Sequence, residues 1–523
     1  MNDNQMQQLN REEKSRTEYS ARNTTVAIVA RMIAILLGFF TRVVFTHTLS
    51  EEYVGINGLF TDILNILALS ELGIGTAITY ALYKPIAEKD IEKQKSLMQL
   101  YKQFYRVVAL IVLFAGLLVI PFMDVLIKDG QSIKYLVLIY LMYLGNSVIS
   151  YLLIYKKTLI DAHQLNYLGV VCYTIFLVIQ NVLQIVILVF TGNFLLFVSV
   201  MMLCTLGNNV AISIKADRLY PYLKDKNIQP LEKEERQGIY RNIKAMLMHK
   251  VGNVVVTNTD NLLISSLVGI VSTGMYSNYF LVIGSIRQVL NQVFQGITAS
   301  VGNLGVKENK ERVKKIFDAS FFIGQWIFGF ATICLYEVLT PFVALSFGEQ
   351  YVFTMDITLI LCLNFYFTGM RQATLVFRDS LGLFWYDRYK SLAEAVINLV
   401  VSLILGYHMG IVGIFIGTLV STLATSFWVE PYVLYKKHLE APVKEYFVKY
   451  IIYFVVMLIA WYLTDATCNK MSGDMLQMCV LRLIICILIP NILFLLCYMR
   501  TKELRFLWKK AYDMVKSKFD NRD

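Results

Sequence analysis

Residues 24–46 read TTVAIVARMIAILLGFFTRVVFT, a run in which Arg31 and Arg42 are the only charges. As a helix it rises about 34 Å, enough to cross ~30 Å of hydrocarbon. No period-two alternation is present, so a barrel strand of about ten residues is excluded. In lipid such a run satisfies its backbone polar groups only by closing them within a helix. The whole chain has the same character: 523 residues are 56% hydrophobic and 17% charged, with a mean hydropathy of +0.54. A soluble fold is excluded on that composition, and 32 Phe, 32 Tyr and only eight Pro exclude disorder.

Working outward from this first window, thirteen more follow: Asn57–Tyr83, Tyr105–Ile127, Ile133–Tyr155, Tyr167–Phe190, Phe194–Ile214, Ile243–Val268, Gly274–Leu304, Ile316–Leu339, Val352–Phe377, Tyr389–Tyr407, Ile411–Tyr435, Tyr446–Leu463 and Leu476–Tyr498. The expected fold is therefore all-α and polytopic, with about fourteen spans. Cations set its orientation, because Lys and Arg accumulate in cytosolic loops. With both termini in the cytosol, 41 of the 49 Lys and Arg fall on that side, counting Arg371 and Lys390 with the loop after span 10. Lys128, Lys134 and Lys470 fall outside, and Arg31, Arg42, Lys250, Arg287 and Arg482 lie within spans. The formal +11 thus reports topology and is no nucleic-acid footprint.

The eight cysteines show no CxxC, and the five histidines no HxxxH or HExxH, so neither a metal site nor a cofactor is expected. The polar start MNDNQMQQLN lacks the order of a cleaved signal and is expected to stay cytosolic. After Arg500 the tail places Leu504, Leu507, Trp508, Ala511, Met514, Val515 and Phe519 on one helical face with lysines opposite, as an interfacial helix does.

The chain also resembles itself. A shift of 219 aligns Arg22-Asn23 with Arg241-Asn242, Arg31 with Lys250 and Gly55 with Gly274; a shift of 220 brings Pro121-Phe122 onto Pro341-Phe342. Spans 1–6 and 7–12 then read as a duplication with an even number of spans per half, so its axis runs along the membrane normal. The expected organisation is a tail at 1–22, a first lobe at 23–214, a linker at 215–241 and a second lobe at 242–437. Two appended spans occupy 438–499, and a basic amphipathic tail 500–523.

Polar residues concentrate in four spans. Span 1 carries Arg31 and Arg42, about three turns and ~16 Å apart on one face. Span 2 stacks Asn57, Thr61 and Asn65, with Asp62 and Glu71 nearby. Span 7 aligns Lys250, Asn253, Thr257 and Asn261 beside Asp260, and span 8 aligns Arg287, Asn291 and Gln295. Spans 3, 5, 9 and 13 read as apolar and are expected to pack or face lipid. A charge at mid-bilayer costs at least about 3 kcal/mol, so the polar residues are expected to face a wet cavity or each other. Spans 1, 2, 7 and 8 are equivalents under the repeat, which makes a shared central cavity the simplest expectation. Its cations outnumber Asp62, Glu71 and Asp260, and guanidinium forks match phosphate oxygens, so an anionic, hydroxyl-rich substrate fits. Structural roles compete at each position. Arg31 and Arg42 could lock span 1 to span 2 through Glu71 or Asp62, Arg482 could snorkel to the interface, and Asp62 could be merely interfacial. Most tyrosines would form an interfacial belt, with Tyr276 and Tyr279 able to stack on sugar rings.

The stretches RMIAILLGFFTR (31–42), LSEEYVGINGLF (49–60) and ELGIG (71–75) resemble the polysaccharide transporter branch of the MATE-like (multidrug/oligosaccharidyl-lipid/polysaccharide) exporter superfamily. Residue-level resemblance covers the first 85 positions; span number, repeat and loop pattern extend it over the chain. It implies two six-helix lobes forming a V, two extra C-terminal helices and alternating access. It also implies a place in the bacterial cytoplasmic membrane, with undecaprenyl-pyrophosphate-linked oligosaccharide as cargo for O-antigen, capsule, exopolysaccharide or teichoic-acid assembly. Implied partners are that lipid, the bilayer, a coupling H⁺ or Na⁺ and a polysaccharide polymerase. Lipid II flippases of the superfamily place arginines in the first and eighth spans, where Arg31, Arg42 and Arg287 stand here. Phosphate binding is thus expected of Arg31, Arg42, Lys250 and Arg287, and cavity polarity or ion coupling of Asn57, Asp62, Glu71, Asp260, Asn261 and Asn291. A multidrug/cation antiporter of the same fold remains the alternative. A membrane polymerase or glycosyltransferase would need a large soluble domain that no loop here provides, so the chain reads as a transporter and not an enzyme.

Overall fold

The computed structural model describes residues 16–68, 74–128, 133–225, 227–240, 243, 258–307 and 309–520. Among the described residues every regular element is helical. Among the described residues nine helices are long and apolar enough to cross a bilayer, and a tenth span arises if the pair Leu136–Tyr151 and Tyr155–Ala162, bent by 41°, counts as one. These ten correspond to spans 1, 3–6, 9 and 11–14. The others fall short for visible reasons. Span 2 is two helices, Glu51–Leu67 and Ile74–Ala87. Span 7 is described from Asn258 and ends in the π-helical turn Ile264–Val268. Spans 8 and 10, Ile270–Lys307 and Met355–Ser380, have the length but not the apolarity. Three of these four are spans the sequence marks as polar.

The chain forms two compact units, residues 1–254 and 255–523. The 219-residue repeat reappears in helix register: Glu51, Ile91 and Leu136 begin helices, and so do Ile270, Lys310 and Met355. Gly55 and Gly274 are each the fifth residue of their helix. Capping repeats as well. Asp90 accepts from the Lys93 amide at 2.9 Å, and Asn309 from the Arg312 amide at 3.0 Å, each satisfying an otherwise open donor of the first turn. The prolines do not repeat: Pro121 sits in a 3-10 turn and Pro341 inside a helix.

In the first unit, span 1 (Arg16–Thr48) packs on span 5 (Asn166–Thr191), and the Thr41 hydroxyl donates to Asn181 at 2.6 Å. At the bend in span 4 the freed carbonyls of Ile149, Ser150 and Leu152 all accept from the Asn209 amide at 2.9–3.1 Å. The linker is strapped down rather than loose. Tyr222 donates to Gln94 at 2.6 Å, Ser96 donates to the Gln229 carbonyl at 2.5 Å, Lys95 pairs with Asp225 at 2.7 Å, and Lys93 pairs with Glu235.

In the second unit the appended spans are built into the core. Gln325 of span 9 (Lys310–Phe347) is fully buried, donates to the Tyr453 carbonyl of span 13 at 3.0 Å and accepts from the Tyr366 hydroxyl at 2.7 Å. Trp326 donates to Asn491 of span 14 at 2.8 Å. Spans 5 and 9 therefore pack, as expected, but through buried amides as well as apolar contacts. The expected tyrosine belt is only part of the outcome. Tyr80, Tyr407 and Tyr462 are exposed, whereas Tyr366, Tyr446, Tyr450, Tyr453 and Tyr498 are buried against Phe321, Phe322 and Phe367. Arg482 does not snorkel. It lies beside Glu337, which is 1% exposed, and donates to the Glu337 carbonyl at 3.1 Å with a carboxylate oxygen at 3.6 Å.

Candidate functional site

The first unit places Arg42 in the interior and Arg31 on its surface. Arg42 is 8% exposed, with its guanidinium 5.7 Å from the Phe45 ring centre, while Arg31 is exposed. Arg42 is covered where the Phe45–Phe194–Phe197 ring cluster closes over span 1, and Arg31 is not. Asn57 and Asp62 of span 2 are half-buried. The Asn57 side-chain oxygen accepts from the Tyr143 hydroxyl of span 4 at 2.7 Å. Glu71 and Lys250, like Asn253 and Thr257, lie outside the described residues.

The second unit gathers its candidates around Asp260. Its carboxylate accepts from Tyr276 of span 8 at 3.3 Å and from Thr418 of span 12 at 3.4 Å. Asn398 of span 11 donates to Thr418 at 3.0 Å and accepts from Thr259 at 3.5 Å. Asp260 and Asn261 are buried. Spans 8 and 12 thus donate to the carboxylate of span 7, and span 11 joins the network through Thr418 and Thr259. Tyr276 is committed to this network and packs on Phe415, and Tyr279 is buried with its hydroxyl accepting from the Phe353 amide at 2.9 Å. Neither is open to stack on a sugar.

Arg287 and Asn291 lie one turn apart on span 8. Arg287 makes no ion pair among the described residues; its Nε is buried without an acceptor, and the Asn291 side-chain oxygen is buried without a donor. The Arg287 guanidinium sits 6.0 Å from the Phe365 ring centre. A cation held this way in a membrane helix suits a ligand that brings its own acceptors.

One group of functional-looking charges escapes the sequence reading. Arg371, counted above with a loop, is two turns inside the helix Met355–Ser380. It donates to both oxygens of Glu430 at 2.8 and 3.2 Å and to Glu394 at 3.2 Å. Lys390, also counted as loop, pairs with Glu430, and Ser426 donates to Glu394 at 2.6 Å. Arg378 pairs with Asp387 at 2.6 Å. Each cation is matched by a carboxylate of spans 10–12 or the loop between them, which identifies the cluster as a cross-brace rather than a binding site. The acids Glu394 and Glu430 inside apolar windows were the available sequence signal.

No protein-family profile matches the chain, and no curated protein matches it. Solved structures do. The lipid II flippase MurJ in an inward closed conformation superposes with a TM-score of 0.65 at 13% identity, over 90% of this chain and 98% of MurJ. A multidrug resistance MATE family transporter of the MOP superfamily, inward-facing, gives 0.61 at 16% identity over 80% of this chain and 99% of its own. An outward-facing MATE structure gives 0.51 at 14%, over 79% and 95%. The chain shares its fold with MurJ and the MATE transporters. At these identities the likeness extends to the fold of a multi-pass membrane protein, and the chemistry rests on the chain's own residues.

Proposed function

We propose that the protein is a flippase that moves polyprenyl-pyrophosphate-linked oligosaccharide across the cytoplasmic membrane by alternating access. Phosphate oxygens are held by Arg31, Arg42, Lys250 and Arg287, with Asn57, Asp62, Asn261 and Asn291 meeting sugar hydroxyls. The observation that carries the reading is Arg287 with Asn291: a buried guanidinium edge and an amide oxygen, both without protein partners among the described residues. Guanidinium forks complement phosphate, and the unpaired amide complements a hydroxyl. Asp260, with Glu71 as a further acid, is proposed as the coupling site for H⁺ or Na⁺. The exported unit passes to a polysaccharide polymerase, and no covalent chemistry is assigned to the chain.

The Asp260 network also favours a second reading, a cation-coupled multidrug antiporter of the same fold. Mass spectrometry of leaflet-resolved lipids in a strain lacking the protein separates the two. Complementation with Arg42→Ala or Arg287→Ala, at equal protein level, is expected to leave lipid-linked oligosaccharide in the inner leaflet. If both variants export glycan as the unaltered chain does, phosphate holding by these arginines is wrong. If only Asp260→Asn abolishes transport, and drugs rather than lipids accumulate, the antiporter reading stands.

A further inference from the structure

At the basic end of span 9 the tail helix Lys502–Asp520 folds back onto the second unit. Lys449 of span 13 joins it by pairing with Glu503 at 2.7 Å and with Asp318 at 3.0 Å. Most cations around this corner are neutralised. Lys314 pairs with Glu445 at 2.7 Å, and Lys310 with Glu440 at 2.6 Å, holding that carboxyl below its usual range. Lys315 and Lys510 differ: both are exposed, and neither forms an ion pair with any described residue. Both ammonium groups instead rest near one ring, 4.7 and 5.2 Å from the centre of Phe506.

Two like charges brought to one ring repel, and the cation–π attraction of each at an exposed site is small. An anion between them would relieve that repulsion. The space exists. Lys315, Lys510 and Phe506 line a cavity of about 360 Å³ together with Asn309, Glu311, Arg312 and Ile316. Among the described lining residues Lys315 and Lys510 outnumber the single carboxylate, Glu311, so the cavity is net positive. Its height is fixed by the chain, because only three residues separate the tail helix from the end of span 14 at Tyr498. Trp508 and Tyr512 are exposed on the same helix, as aromatic residues are where a helix lies in the headgroup layer.

We propose that this cavity docks the phosphate of an anionic membrane phospholipid, held by Lys315 and Lys510 over the face of Phe506. A headgroup is the matching occupant because the site lies at the membrane surface, on the side to which the cation count assigns the cytosol. Each lysine near an anionic surface contributes about 1 kcal/mol, roughly five-fold in affinity.

The test is native mass spectrometry of the full chain with phosphatidylglycerol, phosphatidylcholine or inorganic phosphate added. Phosphatidylglycerol is expected to bind preferentially. Affinity should fall about five-fold in Lys315→Ala and in Lys510→Ala, and further in the double variant, while Lys315→Arg/Lys510→Arg retains it. Two results would overturn the proposal: an alanine pair that retains phosphatidylglycerol like the unaltered chain, or inorganic phosphate displacing the lipid at equal concentration, which would mark a soluble-anion site. Neither readout depends on glycan transport.

Discussion

Glu430 is the most consequential single side chain in the second unit. It is fully buried and answers Arg371 and Lys390 together, with Arg378 3.8 Å away. Glu430→Gln leaves those cations without their shared counter-charge. Breaking such a buried pair costs about 3–5 kcal/mol, so thermal unfolding in detergent should show a large drop in midpoint. Arg287→Gln should lower the midpoint far less, because Arg287 forms no ion pair with any described residue. The contrast separates braces from ligand-facing residues, and it explains what was legible. Arg42 and Arg287 are visible in the sequence because a lone cation interrupts an apolar window. Arg371 is not, because a hydropathy window absorbs it into a span end and its acids lie 23 and 59 residues away. Tyr276 shows the same limit, since no spacing rule announces that its hydroxyl turns to Asp260.

Helices were legible as elements, and their interruptions were not. The helix end at Leu67 in span 2 and the bend after Tyr151 fall inside windows that hydropathy reads as continuous. Asn209, which satisfies the carbonyls at that bend, comes from a different span. Spans 11 and 12 form a tightly packed helix pair, joined by Gly410 alone at φ +61° and ψ −138°, a conformation reserved for glycine. Gly413 and Gly417 then allow backbone contact. A Cβ on Gly413 would lie 2.1 Å from the Leu405 carbonyl oxygen, and one on Gly417 would lie 2.6 Å from the Ser402 amide. Small residues four apart permit this approach in membranes, where packing rather than hydrophobicity drives association. Gly413→Ala should therefore destabilise by about 1–3 kcal/mol or more. Gly38→Ala, whose Cβ meets nothing within 4 Å, should be neutral in the same thermal assay.

At the scale of the molecule, the helix starts of the two units follow one spacing. Three helix starts repeat at 219 residues, so the sequence carried the repeat even where individual matches, such as the two prolines, differ in conformation. The appended spans are the exception. They read as an appendix by arithmetic, yet Gln325, Trp326 and Glu337 of span 9 spend their polar groups on them. Arg482→Leu should thus lower the melting midpoint, while the double change Glu337→Leu/Arg482→Leu recovers much of it, because an apolar pair replaces a buried ionic one at little cost. A chain ending at residue 437 should accumulate poorly for the same reason, as membrane-fraction immunoblots would show.

The Glu337–Arg482 pair also sets a timetable for synthesis. The two residues are 145 positions apart, and at about 5–20 residues per second the ribosome needs roughly 7–30 s to travel between them. Throughout that interval the carboxyl exists and its cation has not yet been made. Span 9 therefore reaches its native partners only once the appended spans are synthesised, so spans 13 and 14 complete the packing of the second unit rather than merely following it.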